Sequence, residues 1–267
     1  MASYQIEILI CTIDDGIERV SGVLMPPIAN VRYIVSMQYT DVKFLQMIPA
    51  SLLERPDVLL STIPGKGLSK NRNNALDLAK ADILLISDDD TRYSEDYIKT
   101  VAKAFDHLSD SDILCFESVS YDGMLLKRYP SDEMPFNCAL ECGYCPSSVE
   151  IALRGKVRTR FDERFGLGSE RLCAGEDDVF LKDASTQGYN ISFVPEVIVS
   201  TDPDTTGLHF LDNSTLQITK GAVFKHIFGK RNAIWRSVRE TAYHCIKSGA
   251  NPFAIFVNMM KGIWMFR

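Results

Sequence analysis

Short apolar runs alternate along the chain with segments of helical periodicity. The apolar runs have the length and composition of buried strands, and polar residues follow each one. They lie at residues 5–11, 32–37, 58–61, 83–86 and 113–116. Helical spacing or helix-start signals mark segments that begin near residues 69, 94 and 176. Strands that alternate with helices predict an α/β fold with a mostly parallel central sheet flanked by helices.

The strand predicted at 83–86 runs directly into three carboxylates, Asp88, Asp89 and Asp90. In an extended chain, Asp88 and Asp90 project to one side and Asp89 to the other. Carboxylate oxygens at the end of a strand suit Mg²⁺ or Mn²⁺, which also bind phosphate oxygens. The alternative is a solvated acidic turn before the next helix, because Asp and Ser are common turn and cap residues.

The polar ends of three predicted strands fall at residues 12–15, 38–41 and 88–90. In a parallel sheet the carboxyl ends of the strands share one edge, and ligands bind at that edge. This convergence favours the metal interpretation of the carboxylates over the acidic turn.

A glycine-rich segment, residues 65–76, precedes the carboxylate strand. Gly65 and Gly67 permit close backbone approach, and a helix that begins after Ser69 presents free amides. Lys66, Lys70 and Arg72 add positive charge, so the segment is suited to a diphosphate, although a glycine turn with a serine cap is the alternative. The glycine–lysine–serine spacing is not that of a P-loop.

A second acidic group, residues 175–178, opens a helix predicted over 176–187 and ended by Gly188. Acidic residues are common in a first turn because they interact favourably with the helix dipole. The functional interpretation places Glu176 or Asp177 at the ligand-binding edge of the sheet as a general base.

Together these segments resemble family 2 glycosyltransferases of the GT-A fold. Residues 67–73 match the family's Gly-Leu-Ser/Pro-x-x-Arg-Asn loop, 88–90 its DxD motif, 161–163 its Phe-Asp-Glu segment and 175–177 its Gly-Glu-Asp motif. Residues 175–178 also look like the Gly-Glu-Asp-Asp motif of galactosyltransferases. The resemblance spans about residues 5–210, which predicts a catalytic domain over 1–212 and a helical extension over 213–267.

The resemblance implies an inverting enzyme that transfers a sugar from a nucleotide-sugar donor to an acceptor hydroxyl. Asp177 would deprotonate the acceptor, with Glu176 beside it in the catalytic group. Asp90 and Asp88 would hold Mn²⁺ or Mg²⁺, and His209 lies where related enzymes place a histidine that completes the metal shell. A lone histidine is, however, more often structural.

The resemblance also implies a set of donor-binding residues. They are Thr12, Asp14, Gln38, Gly67, Leu68, Ser69, Arg72, Asn73, Asp88 and Asp89. The segments 12–15 and 38–41 contact the nucleotide base in the family, and both depart here from the common family sequences. The sequence therefore leaves the nucleotide base undetermined, and UDP is the default expectation.

Composition and charge divide the chain unequally. The 267 residues are 46% hydrophobic, enough for a substantial core, and the net charge is −6. Residues 220–267 hold nine basic residues and one acid, Glu240, for a net +8 against −14 in the preceding residues. The first residues lack the pattern of a signal peptide, so we expect a cytoplasmic protein whose seven cysteines are mostly reduced.

The basic tail ends in a strongly apolar segment. Helices are predicted at 217–228 and 233–247, the second ending at Gly249, and a third follows with Asn251 as cap and Pro252 at its first position. Its apolar run is too short to span a bilayer but is suited to a membrane surface, with Lys261 and Arg267 at the headgroups. A membrane contact would fit a lipid-linked acceptor, whereas docking on the domain or on a second copy in a homodimer is the alternative. Nucleic acid is not expected, because the catalytic region is acidic.

Two other classes of protein remain open from the sequence. Haloacid-dehalogenase-like phosphatases place Asp-x-Asp-Thr after an apolar strand, as at 88–91, but usually on their first strand. A non-catalytic carbohydrate-binding scaffold would have no need of Asp177. Cys138, Cys142 and Cys145 have the spacing of a radical-SAM iron–sulfur site, although zinc binding with Cys173 or simple packing are alternatives.

Overall fold

The computed structural model describes residues 4–136, 144–203, 209–248 and 251–266. Cys138, Cys142 and Gly249 lie outside these ranges, so the predictions that rest on them stay predictions. Within the described part of the chain, no helix has both the length and the apolar composition to cross a membrane. Cys11, Cys115, Cys145, Cys173 and Cys245 carry free thiols, and the reduced state of the cysteines stays a prediction.

Eight strands form a single sheet in the described residues. They are Ile6–Ile13 (β1), Val31–Tyr39 (β2), Val58–Pro64 (β3), Ile83–Asp88 (β4), Ile113–Val119 (β5), Met134–Pro135 (β6), Ile151–Arg154 (β7) and Ile191–Ser200 (β8). Their order across the sheet is β3-β2-β1-β4-β7-β5-β8-β6. The strands β3, β2, β1 and β4 are parallel, and β5 is parallel to β8. The prediction of a mostly parallel α/β sheet is confirmed.

The helices follow the strands along the chain. They are Ala50–Leu53 (α1), Leu68–Leu78 (α2), Glu95–His107 (α3), Glu176–Thr186 (α4), Ser214–Ser248 (α5) and Pro252–Met265 (α6). Short 3₁₀ turns occupy Asp14–Glu18, Val20–Gly22, Val42–Met47 and Ser148–Glu150. Capping explains two of the helix starts, because the Ser94 hydroxyl accepts from Tyr97 N at 3.2 Å and the Asn251 side chain accepts from Phe253 N at 3.0 Å.

The first five strands confirm the apolar runs seen in the sequence, and three further strands were not predicted. β7 lies between β4 and β5 and is antiparallel to both, and β6 is antiparallel to β8. The carboxylate strand ends at Asp88, with Asp89 and Asp90 in a turn. The prediction that side chains alternate from Asp88 to Asp90 was wrong. It assumed an extended backbone, and the backbone turns after Asp88.

The core explains why the central strands are apolar on both faces. Side chains of β1, β2 and β4 pack with α3 and with the turns after β1, and the most buried of them are Ile8, Ile10, Val35, Ile83 and Phe105. Burying such side chains stabilises the fold by roughly 2 kcal/mol each. The polar strand ends are thus held on a rigid scaffold.

The chain forms two compact units. The first, which we call the sheet unit, comprises Met1–Lys66, Lys70–Arg160 and Phe180–Pro203. The second, which we call the helical unit, comprises Gly67–Ser69, Phe161–Val179 and Asp204–Arg267. The helical unit therefore includes residues 67–69, 161–179 and 204–212 of the region predicted as the catalytic domain, and the domain boundary at residue 212 stays a prediction.

The C-terminal helices of the helical unit form three packed segments, two from α5 and one from α6. Gly229, at φ 73°, breaks α5 into residues 214–228 and 230–248, where two separate helices had been predicted. The second segment reverses direction, because Arg236 lies over the ring of Phe228 at 3.6 Å and His244 stacks on Phe210 at 4.7 Å. The helix α6 then runs alongside the first segment.

Two glycines permit this close contact between helices. A Cβ at Gly221 would lie 2.0 Å from the carbonyl oxygen of Met259, and one at Gly262 would lie 1.8 Å from that of Ile218. No side chain fits at either position, so the backbones of α5 and α6 approach directly. On α6, Ile255, Met259 and Ile263 are buried, which confirms that one face of this helix docks within the protein.

Candidate active site

The polar ends of β1, β2 and β4 lie side by side in the sheet unit. Cys11 is opposite Asp88, and Ile13 is opposite Gln38, so the carboxyl ends of these parallel strands share one edge. The sequence predicted this convergence from the three polar strand ends. It brings Thr12, Gln38 and Asp88 to the place where α/β sheets bind ligands.

Asp88 is held by a buried arginine. Arg72 Nη2 lies 3.2 Å from Asp88 Oδ1, and the arginine side chain is 3% exposed whereas the aspartate side chain is 38% exposed. The same Nη2 donates to Ser148 Oγ at 2.5 Å. Arg72 reaches this position because it lies on α2, one turn after the first residue of that helix, Leu68. Its fixed guanidinium leaves the Asp88 carboxylate partly open to solvent.

Asp89 makes a different set of contacts. Its Oδ2 accepts from Thr12 Oγ1 at 2.6 Å and from Arg19 Nη2 at 3.0 Å, and its Oδ1 accepts from Arg19 Nε at 3.1 Å. Gly16 makes room for them, since a Cβ there would lie 2.3 Å from Asp89 Oδ2. Burial raises the pKa of Asp89, against the lowering effect of Thr12 and Arg19. Gly16 and Arg19 were missed, although both stand in the polar turn after β1.

Asp90 carries the least compensated charge of the three carboxylates. It is half-buried, and Thr201 Oγ1 donates to its Oδ1 at 3.3 Å. Burial raises the pKa of Asp90, and the negative charges of Asp88 and Asp89 raise it further. The Tyr121 hydroxyl donates to its backbone carbonyl, which fixes the turn. A positive charge placed near Asp90 would relieve this repulsion.

The carboxylates fit a divalent cation that is shared with a ligand. In the described part of the chain, no three His, Cys, Asp or Glu residues are grouped so as to hold a metal by themselves. Magnesium sites in phosphate-transferring enzymes typically use one or two carboxylates, with substrate phosphates and water completing the shell. Asp88 and Asp90 match that chemistry, and the role of His209 stays a prediction.

Two further predicted donor-binding residues lie on the same edge. Asp14 has a positive φ of 52° and accepts from Thr40 N at 2.7 Å and from Thr40 Oγ1 at 2.8 Å, which joins the ends of β1 and β2. Gln38 is 1% exposed, and its Nε2 has no hydrogen-bond partner among the described residues. A buried donor of this kind suits a ligand or an ordered water.

A buried network that sequence reasoning missed fixes the start of α2 against the strand ends. Asn71 Nδ2 donates to the carbonyl oxygen of Thr12 at 2.9 Å, and its Oδ1 accepts from Ser36 Oγ at 2.5 Å. Asn74 Nδ2 donates to Ser36 Oγ at 2.8 Å. The neighbouring Asn73, which was predicted to bind the donor, is half-buried. The run of amides in residues 71–74 thus has a structural purpose as well.

The remaining motif residues come together in the helical unit. Leu68 N donates to Leu167 O at 2.8 Å, and Ser69 Oγ donates to Phe165 O at 2.6 Å. Gly67, at φ 128°, allows the turn into α2. The segments 67–69 and 161–167, which lie far apart in sequence, are therefore in direct contact.

The Gly-Glu-Asp segment adjoins this contact. A Cβ at Gly166 would lie 2.9 Å from Ser69 Oγ and 3.3 Å from Cδ of Glu176, so only glycine fits between them. Glu176 is buried, whereas Asp177 is half-buried in the first turn of α4. Gly175 precedes them at φ 82° and packs against Val223. The structure thus brings residues 165–167, which follow the motif at 161–163, into contact with the motif segments at 67–69 and 175–177.

Solved structures share this fold. TarS 1-349 of S. aureus is similar at a TM-score of 0.60 and 13% identity, with 97% of this chain and 90% of that chain covered. The same protein in complex with UDP-GlcNAc gives a TM-score of 0.59 at 15% identity, covering 97% of this chain and 80% of that one. Its complex with UDP gives 0.57 at 16% identity, covering 93% and 74%. At such low identity the likeness shows the fold alone.

The sequence comparisons address the family. No curated protein matches this chain significantly. The model of glycosyl transferase family 2 matches residues 44–170, just under half of the chain. That match includes the glycine-rich segment, Arg72, all three carboxylates of residues 88–90 and Ser148. Over these residues the chain is similar to glycosyl transferase family 2, and this match together with the fold supports a glycosyltransferase.

Proposed function

We propose that this enzyme transfers a sugar from a UDP-sugar to a hydroxyl group of a glycan or lipid-linked acceptor, with inversion at the anomeric carbon. The observation that carries the proposal is the cluster of Asp88, Asp89 and Asp90 at the carboxyl edge of the sheet, within the region of the family match. Among proteins of this fold, TarS has been captured with UDP and with UDP-GlcNAc, which supports a uridine nucleotide here.

The donor site in this proposal uses the strand ends and the glycine-rich segment. Gln38, with its buried Nε2, and Asp14 would lie at the nucleoside, and Asn73 would lie along the diphosphate. Gly67, Leu68 and Ser69, which belong to the helical unit, stay predicted donor-binding residues. The contacts of Arg72 and Thr12 suit them to hold Asp88 and Asp89 in place. Asp88 and Asp90 would hold Mn²⁺ or Mg²⁺, which supplies positive charge to the departing diphosphate when bound.

Asp177 is proposed as the general base. Its carboxylate would accept the proton of the acceptor hydroxyl while the acceptor oxygen bonds to the anomeric carbon and the bond from that carbon to the diphosphate breaks. Asp177 is half-buried in the first turn of α4, and Glu176 packs against Gly166. Glu176 would then position the first turn of α4 and contribute negative charge beside the base.

The competing classes have less support. A phosphatase that uses Asp88 and Asp90 would carry its nucleophile on an early strand, whereas β4 is preceded by three strands of the same sheet. A non-catalytic scaffold would leave the raised pKa of Asp90 without a use. We propose the cytoplasm as the site of action. It would supply the predicted nucleotide-sugar donor, and its reducing environment would keep the cysteines reduced.

Thermal unfolding with a panel of nucleoside diphosphates tests the donor site. UDP at a hundred times its dissociation constant should stabilise the wild type by about 2.7 kcal/mol in the presence of Mn²⁺. Asp90→Ala should lose the part of this effect that depends on Mn²⁺, whereas Asp110→Ala, an exposed acid away from the site, should keep it. Stabilisation by no nucleotide, together with hydrolysis of a phosphomonoester, would favour the phosphatase instead.

A further inference from the structure

The second segment of α5, residues 230–248, shows an apolar surface to solvent. Eight exposed residues define what we call the outer face. They are Arg231, Asn232, Trp235, Val238, Arg239, Ala242, Tyr243 and Ile246. At 100° per residue these positions span about 140° of the helix circumference, so they form one continuous face.

The outer face is more apolar than the buried face of the same segment. Trp235 is 71% exposed and Ile246 is 87% exposed. The buried positions on the opposite side are the small residues Ala233, Ser237 and Thr241. This inverts the usual pattern of a helix on a water-soluble protein, in which the apolar stripe faces the core. Such an exposed apolar surface marks a place of interaction.

The charges of the outer face are all positive. Arg231 and Arg239 are exposed, whereas Glu240 lies outside the outer face, is half-buried, and has its Oε1 3.4 Å from Nε2 of His244. Lys230 lies over the ring of Trp264 at 3.5 Å, so a further exposed tryptophan borders the face near Arg231. This surface combines aromatic and aliphatic side chains with arginine and lysine. It is complementary to a partner that has negative charges at its surface and an apolar interior.

We propose that the outer face of α5 docks on the surface of an anionic lipid bilayer. The apolar side chains would enter the boundary between headgroups and acyl chains, and the arginines would meet the lipid phosphates. Tryptophan and tyrosine are the side chains that favour this boundary. Because the apolar side chains lie along one side of the helix, the helix would lie in the plane of the bilayer surface.

A second copy of the chain is a poorer occupant. A twofold interface would place Arg231 and Arg239 of one copy against the same positive face of the other, with no exposed acid on the face to pair with them. Lipid headgroups supply the missing negative charge. The proposal concerns only the helical unit and does not depend on the sugar transfer.

Sedimentation of the full chain with vesicles tests the proposal without any donor or acceptor. The probes are vesicles of pure phosphatidylcholine and vesicles with 30% phosphatidylglycerol. The chain contains two tryptophans, Trp235 and Trp264, and both are exposed on the C-terminal helices, so intrinsic fluorescence reports directly on this surface. The wild type should sediment with the anionic vesicles, and its emission should shift to shorter wavelength.

Two paired variants separate the apolar and the charged contributions. Trp235→Gln/Ile246→Gln should weaken binding at least about tenfold, because two deeply inserted side chains are lost. Arg231→Glu/Arg239→Glu should weaken it on the order of twentyfold or more, given about a fivefold effect for each basic residue near an anionic surface. The matched controls are Leu53→Gln/Met124→Gln and Lys80→Glu/Lys103→Glu, exposed residues of the sheet unit, and both should bind as the wild type does.

Several outcomes would overturn the proposal. Equal binding to both kinds of vesicle would remove the role of charge, and no sedimentation with either would remove the lipid surface. A dimer in solution that Trp235→Gln/Ile246→Gln dissociates, without vesicle binding by the wild type, would assign the outer face to a second copy. Circular dichroism of each variant would show that the helices are retained.

Discussion

Arg72 holds Asp88 from below the sheet edge, with its guanidinium 3% exposed and 3.2 Å from a carboxylate that is 38% exposed. The arginine is fixed in turn by Ser148, at the start of a 3₁₀ turn. One end of this ion pair is therefore rigid and buried, whereas the other faces the proposed donor site. The pair links the packing of the sheet unit to its chemistry.

Replacement of Arg72 tests this link. In Arg72→Gln the carboxylate of Asp88 loses its buried partner, and we expect a loss of about 2–3 kcal/mol in the free energy of unfolding. The matched control is Arg160→Gln, since Arg160 pairs with Asp77 at an exposed site and should cost less than about 1 kcal/mol. Urea denaturation measures both, and equal small effects would contradict a structural role for the buried pair.

The raised pKa of Asp90 predicts a pH-dependent stability. A carboxyl whose pKa is higher in the folded state stabilises the fold at acid pH, and this contribution is lost as the pH rises through the folded-state pKa. Asp90→Asn should therefore be more stable than the wild type at pH 7. The difference should shrink as the pH falls through the folded-state pKa towards the ordinary aspartate value.

Denaturation of the two proteins across this pH range, in buffer without divalent cations, provides the measurement. Asp110→Asn is the control, because it removes an exposed charge outside the cluster. A variant that is less stable than the wild type at pH 7 would show that the charge of Asp90 is well compensated. The expected gain in stability should come with a loss of transfer activity.

Glu150 is a buried carboxylate that we expect to be essential for stability. It is 0% exposed and accepts from Ser118 Oγ at 2.6 Å, Tyr129 OH at 2.7 Å and Lys127 Nζ at 3.1 Å. Glu150→Ala would leave these donors unpaired and should cost about 3–5 kcal/mol. Glu196→Ala, at an exposed position on β8, should stay within about 0.5 kcal/mol in the same urea titration.

Gly221 and Gly229 separate crowding from backbone strain. Gly221→Ala would place a Cβ 2.0 Å from the carbonyl oxygen of Met259, so α5 and α6 must move apart, at an expected cost above about 2 kcal/mol. Gly229→Ala meets no atom within 4 Å but keeps φ at 73°, and should cost about 1–2 kcal/mol. Thermal unfolding ranks the two, and a cheaper Gly221→Ala would contradict the close crossing.

The sequence predicted the first five strands because each contains at least three consecutive apolar residues. β8 was missed because Pro195 stands in its middle, and proline normally argues against an interior strand. The structure accommodates it with a register shift, since Cys115 pairs with Phe193 but Glu117 pairs with Val197. β7 has only four residues and gains its place from pairing with β4 and β5, which no local pattern reveals.

The part of the site that directly follows predicted strands could be inferred from the sequence. The carboxylates and the glycine-rich segment follow strands, so their common edge could be inferred from the order of elements. Arg19 and Thr201 were missed because each reaches a carboxylate across a long stretch of sequence, and Ser148 was missed because it reaches Arg72 in the same way. Such contacts depend on tertiary packing, and single residues of these types carry no signal of their own.

Release of UDP from a panel of UDP-sugars, with Mn²⁺ and a hydroxyl acceptor, tests the central claim most directly. We predict release with at least one UDP-sugar for the wild type, and a loss of at least about a hundredfold in Asp177→Asn, which removes the base. UDP should still stabilise that variant against heat, because the donor site is intact. Full activity in Asp177→Asn, or release of phosphate from phosphomonoesters with no turnover of any nucleotide sugar, would contradict the account.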